Sequence, residues 1–158
     1  MNAAVQKKPE GYHTATPYLT ITGAAAAIDY YRQAFGAVEV MRLADPGGAI
    51  MHAEIRIGDS IIMLSEDAPQ WGVRSPQAIG GTACSVMLYV DDVDATYAAA
   101  IAAGGKPAMP VENQFYGDRS GSFLDPFGHR WIVSTHVEDV SNEEVARRAA
   151  ALFAPGAG

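Results

Sequence analysis

His52 and Glu54 stand two residues apart in the alternating stretch MHAEIRI and make the sharpest chemical pair in the chain. Side chains alternate between the faces of a strand, so both point the same way. An imidazole beside a carboxylate is a base with its orienting partner, or part of an unconventional metal site. A solvated strand face on which Glu54 pairs with His52 or Arg56 has the same spacing. Glu66 ends the next strand and can swing towards the same surface, although Ser65-Glu66-Asp67 before Ala68-Pro69 also reads as an exposed turn. Tyr116, Asp118 and Arg119 form a second group, in which the guanidinium either forks onto a carboxylate or phosphate ligand or braces the turn together with Asp118. His129 and Trp131 follow a DPFG turn and read as packing residues; His136, near Glu138 and Asp139, reads as a member of a surface pair. His13 belongs to an N-terminal stretch, residues 1–13, expected to be flexible.

Holding such groups takes strands in a fixed register, and the hydrophobic periodicity supplies them. Residues 16–22 alternate, with Leu19 and Ile21 on one face. Ala24 to Phe35 has helical spacing at Ile28, Tyr31 and Phe35, and Gly36 sits where a left-handed cap belongs. Val38 to Leu43, Ile50 to Ile57 and Ser60 to Ser65 are three strands joined by DPGG and Gly58-Asp59 turns. After the loop 67–81 the same grammar returns. A strand at 83–90 is followed by a helix capped by Asp91 or Asp92, with Val93, Tyr97, Ala100 and Ile101 as its stripe, and Gly104-Gly105 ends it. Strands follow at Pro107 to Glu112, Tyr116 to Leu124 and His129 to His136. The halves superimpose at an offset of about 70, which aligns Gly36 near Gly105 and Ile62 on Ile132. The fold class is therefore α+β, with two paired βαβββ modules at about 14–66 and 83–136 forming one domain, 14–140. A capping box at Ser141 to Glu144, with Glu143/Arg147 and Glu144/Arg148 pairs, predicts a C-terminal helix at 142–153. Its Val145, Leu152 and Phe153 can dock on this domain or on a second copy, and the tail from Pro155 should fray.

Composition closes several alternatives. The 158 residues are 49% hydrophobic and 18% charged, enough for one ordinary core. Eleven Lys and Arg against eighteen Asp and Glu, dispersed along the chain, argue against a nucleic-acid surface. The single Cys84 excludes a disulfide framework, and its apolar surroundings (Ala83, Val86, Leu88) read as those of a small buried hydrophobe. No leader or membrane-spanning stretch is evident, so the expected location is cytoplasmic. GxGxxG, Walker-type, HExxH and GxSxG motifs are absent, which leaves nucleotide binding, zinc proteolysis and serine hydrolysis without their usual marks. Ser65, Ser85 and Ser122 have no sequence-evident base and read as hydrogen-bonding groups.

The order of the pieces PYL, AIDYYRQAFGA, MHAEIRIGDSIIML, YVDDVDA and YGDRSGSFLDPFGHRWIVSTHVEDVS resembles the vicinal oxygen chelate superfamily. The details look most like its PhnB-like, glyoxalase/bleomycin-resistance branch, over residues 14–140. The resemblance implies sheets curling around a cleft that a homodimer completes. It also implies, for metal-dependent members, four ligands on the first and last strands of each module. Those positions fall at Thr16, Met63, Ser85 and Ile132, which lack the His, Glu or Gln donors such sites use. No metal cofactor is expected by that route; one divalent ion held by His52, Glu54 or Glu66 is the alternative.

Strand parity names most of the cleft wall, Tyr18, Thr20, His52, Glu54, Met63, Ser65, Ser85, Met87, Tyr89, Tyr116, Asp118 and Ile132, and the resemblance adds Arg119 from a segment that borders the cleft; His52 and Glu54 are the catalytic candidates. Ser120 and Ser122 share the face unless a bulge at Gly117 or Gly121 shifts the register. Hydroxyls, thioethers and aromatics with few charges suit a small, partly apolar organic ligand. The expectation is a metal-independent small-molecule binding protein, a homodimer without nucleic-acid or membrane partners; the rivals are a metal-dependent lyase, isomerase or dioxygenase, and an accessory protein that binds another protein.

Overall fold

The computed structural model describes residues 6–154. Its elements run β1 (Tyr18–Ile21), α1 (Ala24–Phe35), β2 (Val38–Ala44), β3 (Ile50–Ile57), β4 (Ser60–Glu66), α2 (Pro76–Ile79), β5 (Ser85–Tyr89), α3 (Val93–Ala102), β6 (Lys106–Asn113), β7 (Asp118–Leu124), β8 (Arg130–His136) and α4 (Asn142–Leu152). The two sheets have the same topology, β1-β4-β3-β2 and β5-β8-β7-β6, so the sequence repeat is a structural duplication. In each sheet the first and last strands of the module pair in parallel and the other neighbours are antiparallel.

One helix per module covers one face of its sheet, and the helices pack on one another. The Tyr30 hydroxyl of α1 donates to the Ala100 carbonyl of α3 at 3.1 Å. Phe35 of α1 reaches across to Trp131 and Phe123 of the second sheet, with ring centroids 4.7 and 6.1 Å apart. A single core thus runs through both modules, from Ile21, Ile55 and Leu64 to Phe123, Trp131 and Val133. Burial of a side chain such as Phe123 contributes about 1.5–3 kcal/mol. The helices form the middle layer, and the opposite faces of both sheets turn outward.

The middle layer is tied by one carboxylate. Asp125, in the turn between β7 and β8, is buried and accepts four hydrogen bonds. Its Oδ2 takes the Tyr31 hydroxyl of α1 at 2.7 Å and the Trp131 indole N–H at 2.9 Å. Its Oδ1 takes the backbone N–H groups of Phe127 and His129, both at 2.9 Å. Burial first, then the Asp125 charge, pushes the Tyr31 phenol well above its ordinary pKa, so it remains a donor.

Several local expectations change in the structure. Cys84 is exposed, because β5 begins only at Ser85 and the preceding residues lie on no core face. Ile62 is not the counterpart of Ile132: Ile62 is buried against the helices, whereas Met63 faces outward as Ile132 does. The longer turn of the second module shifts the repeat by one residue, which on a pleated strand changes the face. No bulge at Gly117 or Gly121 shifts the β7–β8 ladder, so Ser120 and Ser122 keep the outward face; the irregularities fall in β6, around Met109. Gly117 has another role, because with φ 99° it lets the Glu138 carbonyl approach to where a Cβ would stand. In α4, Arg147 and Arg148 both pair with Glu144, in place of the Glu143/Arg147 pair. The first five residues of the N-terminal stretch and the tail from Pro155 lie outside the described residues.

Asp125→Ala strands two side-chain and two backbone donors, each costing about 1–3 kcal/mol when buried and unpaired, so a loss of about 3 kcal/mol or more is expected. Urea denaturation measures it, and a loss under about 1 kcal/mol would refute the role given to this carboxylate.

Candidate functional site

The outward sheet faces hold the candidate residues. On the first sheet Glu54 stands opposite Met63 on β4 and Met41 on β2, and Tyr18 stands opposite Met63 on the other side. Glu54 is buried, and its Oε1 meets His52 Nε2 at 3.1 Å. His52 Nδ1 lies 3.0 Å from the Tyr18 hydroxyl, and Tyr12 donates its phenol to Glu54 Oε2. The polar groups form one chain: Tyr18, His52, Glu54, Tyr12. The Tyr12 hydrogen bond, opposed by burial and assisted by His52, holds the Glu54 carboxyl below the usual carboxylate range. His52 and Glu54 are thus brought together as the spacing predicts, with two tyrosines that the spacing does not announce.

The second sheet carries a counterpart at a different level. Asp118 of β7 lies directly opposite His136 of β8. Its buried carboxylate meets His136 Nδ1 at 2.8 Å and accepts from the hydroxyls of Tyr89 at 2.8 Å and Ser134 at 3.3 Å. His136 Nε2 lies 3.0 Å from Asp139. His136 thus keeps the surface pair with Asp139 that the sequence suggests and is joined besides to the buried Asp118. The missed signal was the register: parity places both on one face, but only the β7–β8 ladder puts them side by side. Ser122, opposite Ile132, has a buried hydroxyl without a hydrogen-bond partner among the described residues.

Arg119 is a correction. It points to the helix side of β7 and forks onto Asp94 of α3 with two contacts of 2.7 Å. The pleat forces this, since Asp118 faces outward and its neighbour must face inward. Glu66 is equally committed elsewhere: its carboxylate accepts from the N–H groups of Gly23 and Ala24 at 2.5 and 2.9 Å and caps α1. Tyr116 lies ahead of β7, half exposed against Phe115. His129 contacts the Thr20 carbonyl at 3.0 Å and Trp131 is wholly buried, so both serve packing. His13 meets the Asp59 carbonyl at 3.3 Å.

Met87 and Tyr89 are exposed, and so are Tyr18, Met41 and Met109. A cavity of about 420 Å³ opens beside Tyr18 and Ser65, walled by Ile50, Met51, Trp71 and Val73. A wider groove of about 770 Å³ runs between the Gly58-Asp59 turn and Met87, Tyr89 and Asp92. At the positions to which the family resemblance assigns metal ligands stand Thr16, Met63, Ser85 and Ile132, and among the described residues no three His, Cys, Asp or Glu side chains converge as a metal set. These residues do not fit the metal centre of the metal-dependent members.

Hydrogen bonding to Asp118 and then to Asp139 raises the His136 pKa above its ordinary value. Burial pushes Asp118 up, but the bonds from His136, Tyr89 and Ser134 outweigh it and hold the carboxyl low. A raised histidine contributes stability that is complete below the unfolded value of about 6.5 and is lost as pH rises through the folded one. The lowered Asp118 contributes above about 3.9 and its share is lost as pH falls through its folded value. Thermal unfolding of the native protein should therefore weaken on the alkaline side of neutrality more than that of His136→Ala. Parallel pH profiles for the two proteins would exclude the coupling.

Comparison with known proteins agrees with this architecture. Residues 13–133 match the family model of the Glyoxalase/Bleomycin resistance protein/Dioxygenase superfamily. The uncharacterized protein Rv0887c of Mycobacterium tuberculosis is 41% identical over 133 residues, 82% of this chain and 78% of that protein. The crystal structure of TioX from Micromonospora sp. ML1 superimposes with a TM-score of 0.62 at 25% identity, covering 82% of this chain and all of TioX. The PhnB protein of Bacillus cereus shares the fold at 18% identity, with a TM-score of 0.61 over 78% of this chain and 99% of its own. Among the described residues no helix is long and apolar enough to cross a membrane. With its duplicated βαβββ modules and its match over residues 13–133, the chain belongs to the glyoxalase/bleomycin resistance protein/dioxygenase superfamily, the vicinal oxygen chelate proteins.

Proposed function

We infer that this protein binds a small, partly apolar organic molecule on the outward faces of its sheets, without a metal, as a cytoplasmic homodimer. The observation that carries the reading is the make-up of those faces: exposed Tyr18, Met41, Met87 and Tyr89 surround a few buried polar groups, Glu54, Asp118 and Ser122. Apolar walls with sparse, fixed polar contacts are what small-molecule sites use. The unpartnered Ser122 hydroxyl supports a ligand there, because a buried polar atom gains when something supplies its hydrogen bond. Metal independence is supported by the side chains at Thr16, Met63, Ser85 and Ile132 and by the engagement of Glu66 with α1.

The same geometry supports the homodimer. Within one chain the faces turn away from each other, across the helix layer, so an enclosed cleft needs the face of a second copy. Exposed methionines and aromatics on both faces supply apolar area for that contact. The fold leaves the ligand open, and the chemistry of the wall narrows it to neutral or weakly charged molecules with one or two polar groups.

Three readouts test the proposal. Light scattering at micromolar concentration should give twice the 16.7 kDa chain mass, and a monomer would remove the shared cleft. Untagged protein should carry no stoichiometric metal and gain no thermal stability from Mg, Mn, Fe(II), Co, Ni or Zn; equimolar metal with matching stabilisation would overturn metal independence. With methyl-labelled methionine, members of a library of small aromatic and acyl fragments should shift the outward-facing Met41, Met63, Met87 and Met109, and a library that shifts none of them would refute the binding face.

A further inference from the structure

We propose that Tyr12 is a resident stand-in for the ligand's hydroxyl group, and that Glu54, oriented by His52, binds a hydroxylated aromatic molecule which displaces it. The inference deepens the reading of the first sheet's outer face as a ligand surface and rests on it.

Glu54 is a buried carboxylate in apolar company, with Met41 and Met63 opposite it on the neighbouring strands and Ile61 buried nearby. One oxygen is taken by His52, whose far nitrogen meets Tyr18, so the imidazole is fixed from both sides. The other oxygen is taken from outside the sheet, by the phenol of Tyr12. That phenol comes from residues 6–17, a strap without helix or strand. Apart from the bond of Tyr12, the side-chain hydrogen bond that ties the strap to the domain among the described residues is that of His13 with the Asp59 carbonyl, at an exposed site. The Pro17 carbonyl anchors its far end by accepting from Met63 N–H at 2.9 Å. A segment with few buried contacts opens at low free-energy cost.

A strap that opens uncovers a carboxylate oxygen that is desolvated and already directed at an O–H donor. Leaving it unpaired is unfavourable, so an incoming O–H is favoured over an apolar group of equal size. The thioethers of Met41 and Met63 and the Tyr18 ring, 5.6 Å from His52, provide the soft apolar contacts that an aromatic body takes. The displaced group is itself a para-substituted phenol, which defines the ligand class. Because the strap and the ligand compete for one oxygen, a strap closed about nine-tenths of the time weakens apparent affinity about tenfold.

The test uses 4-methylphenol, the tyrosine side chain as a free molecule, titrated into the full chain with methionine methyl signals as the readout. Tyr12→Ala should bind it about tenfold more tightly than the native protein, with shifts at Met41 and Met63. Tyr12→Phe keeps the ring, removes the hydroxyl and should show the same direction of change, which guards against a misfolded alanine variant. Toluene should gain little from either substitution, and Glu54→Gln added to Tyr12→Ala should abolish most of the gain. Equal affinity of the native and both variant proteins for 4-methylphenol, or an equal gain for toluene, would overturn the proposal. If 4-methylphenol binds none of them while other fragments still shift Met63 or Met87, this inference fails and the broader ligand-face reading stands; if no fragment shifts either, both fail.

Discussion

Four donors converge on the carboxylate of Asp125, and the arrangement of the two modules depends on them. Two are backbone groups of its own turn, which shape the chain between β7 and β8. The other two are the Trp131 indole of the second sheet and the Tyr31 phenol of α1, which belongs to the first module. A buried carboxylate is tolerated only when its oxygens are satisfied, so this one is stable only with the modules in their observed relation. The aromatic contacts of Phe35 with Trp131 and Phe123 supply area, while Asp125 fixes the register in which that area meets.

That constraint determines where chemistry can occur. With α1 and α3 between the sheets, the inward positions of the central strands β3, β4, β7 and β8 are largely spent on the core, the edge strands β2 and β6 stay mostly exposed, and the outward positions are free. The freed positions carry two carboxylate–histidine pairs, His52 with Glu54, extended by Tyr18 and Tyr12, and His136 with Asp118, extended by Tyr89. In both pairs the carboxylate is the buried partner. Such a pair is strengthened by its low-dielectric surroundings, and its polar atoms are held ready rather than recruited. Duplication thus yields related surfaces, with polar groups at different heights on the two sheets.

Membership in the superfamily fixes the frame and leaves the chemistry to the individual side chains. Here Met63 and Ile132 face outward without a donor for a hard or borderline metal ion, while Glu66, an acid within reach of that region by sequence, is bound to the amino end of α1.

Most of the framework was legible in the sequence. Two copies of strand, helix and three strands, the left-handed Gly36, a helix cap at Asp91 or Asp92, which the structure assigns to Asp92, and the inward faces of β3 and β8 all follow from local periodicity and turn chemistry, which depend on neighbours in the chain. The outward direction of His52, Glu54, Met63, Met87 and Asp118 followed from the same alternation. What only the tertiary structure decided are the pairings between distant residues: Tyr12 on Glu54, His136 beside Asp118, Arg119 on Asp94, Tyr31 on Asp125. Periodicity tells which way a side chain points and not what meets it, because the partner is set by strand register and by how two modules pack. The one-residue error at Ile62 shows the same limit: a repeat aligned by similarity is blind to a longer turn, and on a pleated sheet one residue separates the core from the surface.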